Sequence, residues 1–195
     1  MQECRYISAA MIRVPFLFVA AGLAAALVGG CSGPVETRIA STGPGVPDRP
    51  VLMWADGSEG KASSPDEDRT RARAAVEAAL TAQGFRFADD GAVVVMLGLS
   101  ERPATLGLQG GNGADERTLS PAKKPRLFQR CADRTLRLGV ALVDRATGRL
   151  LYRGAAQEAH CRAGFADATS RLAHLAVADL AAPGRERVAL TPGRD

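Results

Sequence analysis

Lysine is almost missing from this chain. It occurs only at positions 61, 123 and 124, so nearly all of the 25 Lys and Arg residues are arginine. Aromatic residues make up 5% of the sequence, with a single Trp, and there are two His and four Cys. Without a dense basic run interleaved with aromatics, the sequence lacks the footprint of a nucleic-acid binder. The glycine cluster GLQGGNG lacks the following Gly-Lys-Ser/Thr of a phosphate loop and opens no helix. No Cys-x-x-Cys or His-x-x-x-His pair marks a metal site. The abundance of Ala, Gly and Arg matches what a GC-rich genome encodes. Arginine is nonetheless a good partner for phosphate and carboxylate, so anionic envelope surfaces stay open as targets.

Long apolar runs are equally scarce, which makes the one at Val14–Val28 informative. It follows a single basic residue, Arg13, and ends in Gly29-Gly30-Cys31. That order is the layout of a secretory signal. Met11 is the expected start, which leaves Cys4 outside the signal. The alternative is a retained membrane anchor. At about seventeen residues with its glycines the run sits at the short limit for spanning a bilayer, and no dense basic flank follows it.

Val28-Gly29-Gly30-Cys31 resembles the lipobox of bacterial lipoproteins. The resemblance implies cleavage before Cys31 and diacylation of its thiol. It also implies a protein anchored by lipid at the periplasmic face of the outer membrane, because Ser32 replaces the Asp that tends to retain such proteins at the inner membrane. Residues 1–30 are then a cleaved signal, 31–50 a lipidated Pro/Gly-rich tether that lets the domain stand off the membrane, and 51–183 a single domain. Residues 184–195 read as a loose tail.

Within the domain, Val51–Trp54 is a short apolar run suited to a first strand, and its Trp54 reads as core or rim packing rather than a ligand platform. Ser64-Pro65-Asp66-Glu67 carries a cap, a first-turn proline and a capping-box acid. Ala72, Ala75, Val76, Ala79 and Leu80 then form one helical stripe that ends at Gly84. Phe85-Arg86-Phe87 reads as a brief strand. Ala92–Leu99 reads as a central strand, covered on both faces or on one face and at its edge. Asp89 and Asp90, directly before it, read as solvated turn residues rather than metal ligands. Residues 101–126 break every period and read as a mobile insertion, and as a variable contact surface.

The best-marked unit follows. Leu136, Leu138, Val140 and Leu142 alternate with Thr135, Arg137, Gly139 and Ala141. Asp144–Gly148 turns the chain, and a return strand runs from Arg149 to Glu158. A helix with Phe165, Ala168, Leu172, Leu175 and Ala176 on one stripe stops by Pro183-Gly184. The turn makes opposite residues sum to 292 or 293, and Cys131 and Cys161 sum to 292. In an oxidising periplasm that places a disulfide between them. A metal site from Cys131, His160, Cys161 and His174 is the rival, as is a nucleophilic Cys161 with a histidine base.

The stretch VDRATGRLLYRGAAQE resembles the hairpin of small envelope lipoproteins, many of them domains of unknown function. The positions that carry the likeness are Asp144, Thr147, Gly148, Tyr152 and Gly154. It implies a compact α+β domain with one sheet backed by two helices, and no catalytic residues. The expected fold is α+β, with a mostly antiparallel sheet of about four strands, two helices and a C-terminal β-hairpin–helix unit. The expected function is non-enzymatic, without cofactor: a lipid-anchored lipoprotein presenting a surface to an envelope protein or an anionic envelope component. The alternatives are an accessory lipoprotein of lipid or lipopolysaccharide transport, and an enzyme using Cys161 or the paired aspartates.

Overall fold

A computed structural model describes residues 35–46, 48–55, 66–110, 117–124, 131–161, 163–184 and 186–191, all within the unit Gly33–Asp195. Cys31, the signal, the Ser64-Pro65 cap and the centre of the glycine cluster lie outside these residues. In chain order the elements are β1 (Val35–Thr42), β2 (Val51–Trp54), α1 (Asp66–Ala82), β3 (Arg86–Phe87), β4 (Val93–Pro103), β5 (Leu108–Gly110), β6 (Arg117–Ser120), β7 (Arg134–Asp144), β8 (Leu150–His160), α2 (Phe165–Ala176) and β9 (Glu186–Thr191).

The alternating strand β7 and its hairpin partner β8 sit in the middle of a seven-stranded sheet of order β3-β2-β4-β7-β8-β1-β9. Asp144 holds the turn between them. Its carboxylate accepts from the Thr147 backbone N–H at 2.8 Å and from the Thr147 hydroxyl at 2.6 Å, and Gly148 takes φ +68°. The paired residues sum to 294 rather than 292 from Arg134–His160 to Leu142–Tyr152, with a register shift after Leu142. Cys131 and Cys161 therefore lie just beyond the strand ends rather than opposite each other in the ladder.

The expectation of about four mostly antiparallel strands is overturned in two ways. First, the sheet is mixed: β2 runs parallel to both β3 and β4. The 17-residue α1 is the reason, since a helix between two strands carries the chain back to the starting end and makes them parallel. Secondly, β1 lies inside the stretch read as tether and β9 inside the stretch read as tail. The inward side of β1 is Val35, Thr37, Ile39 and Ser41, so polar residues interrupt its apolar period. Glycine and proline on both sides hide the strand further. The segment read as a mobile insertion ends β4 late, at Pro103, and carries its own two-stranded ladder, β5–β6.

Both helices cover one face. Ala72, Val76, Ala79 and Leu80 of α1 pack with Phe165, Ala168, Leu172 and Ala176 of α2 over Ile39, Leu52, Val95, Leu136, Leu138, Val140 and Leu142. Small alanines on both helices let them lie close to the sheet. Phe85 folds back after Gly84 as its N–H donates to the Leu80 carbonyl, and its ring is buried. Gln83 donates to the Val177 carbonyl at 3.0 Å, tying the end of α1 to the end of α2. Trp54 packs at the rim, stacked on Phe87 at 5.6 Å with Arg73 4.8 Å above its ring. Among the described residues, the other face of the sheet carries no helix. The apolar run of β4 is thus covered on one face only: Val93 and Val95 are buried, while Met96 is 50% exposed.

Candidate functional site: a basic trough on the open face of the sheet

Strand register lines up the smallest residues of four strands. Gly98 of β4 lies opposite Gly139 of β7, which lies opposite Ala155 of β8, which lies opposite Ala40 of β1. The row has almost no side chains, so it forms a trough with a backbone floor. One flank is Met96, Ala141, Arg153 and Thr42; the other is Ser100, Arg137, Gln157 and Arg38. Two hollows of about 360 Å³ and about 390 Å³ occupy it, and they share Arg137 and Ala155. Thr118 of β6 lines the second hollow, so the β5–β6 ladder borders the trough.

Neither steric crowding nor backbone conformation requires the two glycines. A Cβ on Gly98 would come no nearer than 4.0 Å to other atoms, and one on Gly139 no nearer than 3.9 Å, and neither residue takes positive φ. A glycine inside a strand weakens it and marks close approach of a ligand or another backbone. Gly154, on the helix-facing side of β8, is the opposite case. A Cβ there would overlap the Ala176 carbonyl oxygen and the Tyr152 hydroxyl.

The electrostatics of the trough are one-sided. Arg137 is half-buried, and burial together with Arg153 and Arg102 pushes its pKa below the usual arginine value. Its guanidinium reaches the Gln157 amide oxygen at 3.5 Å. Among the described residues neither Arg137 nor Arg153 pairs with a carboxylate, whereas Arg38 is held by Glu36 at 2.6 Å. Two neighbouring guanidinium groups without counter-charges gain most from an anion placed between them.

On the opposite side of β8, Glu158 is sealed beneath α2. It accepts from the Thr37 hydroxyl at 2.6 Å and from Arg171 Nε at 2.8 Å, and it lies 2.8 Å from His160 Nε2. Burial pushes this carboxyl up, but the hydrogen bonds from Arg171, His160 and Thr37 outweigh it and hold the pKa at about 2. A carboxylate ionised at neutral pH and closed off from solvent ties β1, β8 and α2 together.

The residues singled out from the sequence fall elsewhere. Cys131 and Cys161 are joined, with Cα atoms 5.6 Å apart. His160 is committed to Glu158, and His174 is exposed on α2. The paired Asp89 and Asp90 are exposed in a turn. No group of three metal-ligating side chains occurs among the described residues. The trough itself was not singled out. Its signal was present, as glycine in the middle of two apolar strand runs, VVVMLGLS and RLGVALVD.

No protein-family model and no curated protein matches the chain. Among solved structures, it is similar to a PDZ domain protein from Parabacteroides distasonis, with a TM-score of 0.49 and 10% identity, over 81% of this chain and 39% of that one. It thus spans less than half of that protein. It is also similar to a PelC dodecamer from Paraburkholderia phytofirmans in two crystal forms, each with a TM-score of 0.45. The identities are 15% and 14%, over 72% of this chain and 94% and 95% of those chains.

Proposed function

We propose that this chain is a non-enzymatic lipoprotein, anchored through Cys31 at the periplasmic face of the outer membrane, whose open sheet face binds an anionic envelope component. The observation that carries the reading is the trough: a backbone floor flanked by Arg137 and Arg153, neither of them paired with a carboxylate among the described residues. Carboxylate or phosphate groups on an extended ligand meet the guanidinium pair, while the glycine row admits the ligand's own backbone. The Val28-Gly29-Gly30-Cys31 sequence supports the anchor. The polar groups best suited to chemistry support the non-enzymatic part, since Glu158 is sealed and Cys131 is joined to Cys161.

Exposed Met96 beside the arginines favours a second reading, an accessory to lipid or lipopolysaccharide transport, because an amphiphile would use both. One titration separates the two. The purified chain is titrated with a short polyuronate and, separately, with a phosphorylated lipid. Polyuronate binding supports the first reading and binding of the lipid alone supports the second. An Arg137→Ala, Arg153→Ala double variant is expected to bind at least about tenfold more weakly, equivalent to about 1.4 kcal/mol. Unchanged affinity overturns the trough as the site.

A further inference from the structure

We infer that the end of the sheet bearing Val35 rests directly on the membrane that holds the lipid anchor, with the strands standing away from the surface. The inference rests on the lipidated Cys31 of the proposed function. The sequence suggested a tether of about twenty residues that would let the domain stand off. β1 removes most of it, because the strand begins at Val35, four residues after Cys31. Four residues reach at most about 14 Å when fully extended. By comparison, the eleven residues of β7 span about 36 Å. An anchor on so short a leash dictates which end of the domain faces the lipid.

Register identifies what else lies at that end. Val35 pairs with Thr191 of β9 and lies two residues beyond the Thr37–Glu158 pair, level with the end of β8. The end of β8 pairs with Arg134, and Arg134 with Pro103. The chain leaves β4 here into Ala104 and Leu106, and Lys123 returns to this point as its N–H donates to the Ala104 carbonyl.

The surface at this end is apolar and lysine-edged. Leu106 is 56% exposed and Leu190 68%. Leu150 is exposed at the opposite, hairpin-turn end. Two of the three lysines in the whole chain, Lys123 and Lys124, sit here as well; Lys123 is paired with Asp133, and Lys124 is exposed. Aliphatic side chains that enter the headgroup layer, with a lysine such as Lys124 that reaches phosphate, are what a lipid surface accepts. The occupant is therefore the anchoring bilayer. The trough then opens sideways, along the membrane.

The test uses the full chain, processed in a Gram-negative host and reconstituted in phosphatidylethanolamine–phosphatidylglycerol vesicles with brominated acyl chains, which quench nearby tryptophan. In a Trp54→Phe background, whose new ring still meets Phe87, single tryptophans are placed as Leu106→Trp, Leu190→Trp and, at the opposite end, Ala146→Trp. Brominated lipid is expected to lower the emission of the first two at least about twofold and to leave the third unchanged. With acyl mass present on Cys31, equal quenching at all three sites, or none at the first two, overturns the inference alone. A mature chain without acyl mass on Cys31 overturns both the inference and the anchor on which it rests.

Discussion

The Tyr152 hydroxyl donates to the Ala176 carbonyl oxygen at 2.7 Å, and this bond closes the last turn of α2 onto β8. Gly154, two residues along the same face of the strand, leaves room for that carbonyl to come down. The helix end thus sits on a bare patch of strand beside a phenol that satisfies one of its orphan carbonyls.

Tyr152→Phe is expected to cost about 1–3 kcal/mol, because it leaves a buried carbonyl without a donor. Gly154→Ala is expected to cost more, since the Ala176 backbone itself must move. Denaturant unfolding ranks the two, and a Gly154→Ala chain as stable as the parent would contradict the close approach. The alkaline limb is fixed in sign. Burial, and then Asp179, push the Tyr152 hydroxyl up to about 12 from 10. The stabilisation is complete below pH 10 and is lost as pH rises through about 12.

Glu158 sets the acid limb. Its carboxyl titrates at about 2 rather than 4.5, so its contribution is present above pH 4.5 and is lost as pH falls through about 2. The linkage is worth about 3 kcal/mol at neutral pH. Glu158→Gln should flatten the fall in unfolding free energy between pH 5 and 2, and an unchanged acid limb would remove Glu158 from the account.

Reduction of the Cys131–Cys161 bond frees a segment with a sequence separation of 30. On the chain-entropy model this lowers stability by about 3.6 kcal/mol. A Cys131→Ser, Cys161→Ser chain is expected to show the same loss while keeping its ligand, because neither thiol lines the trough. Loss of binding in a folded double variant would point to chemistry at the cysteines instead.

Gly139→Leu separates fold from function most directly. Nothing in the fold crowds a Cβ at that position, so the unfolding midpoint should hold or rise. The new side chain fills the trough, and titration with polyuronate or phosphorylated lipid should show binding reduced at least about tenfold. Retained affinity would show that the ligand does not lie along the glycine row.

Much of this molecule was decided within short stretches of chain. The stripe from Ala72 to Leu80, the alternation from Thr135 to Leu142 and the Asp144–Gly148 turn are local periods and local hydrogen bonds, so α1, β7 and the hairpin follow from the sequence alone. The sequence also brings Cys131 and Cys161 to the same end of that hairpin, since two strands joined by one short turn have no other place for them. Tertiary structure decided the rest. Thr37 faces inward because Glu158, 121 residues away, needs its hydroxyl, so β1 carries a polar interior that no apolar period could announce. β2 pairs with β4 in parallel because α1 lies between them. Gly98, Gly139, Ala155 and Ala40 form a trough only once four strands share a register, and register is a long-range quantity. A glycine in one strand is an oddity; four small residues in one row are a trough.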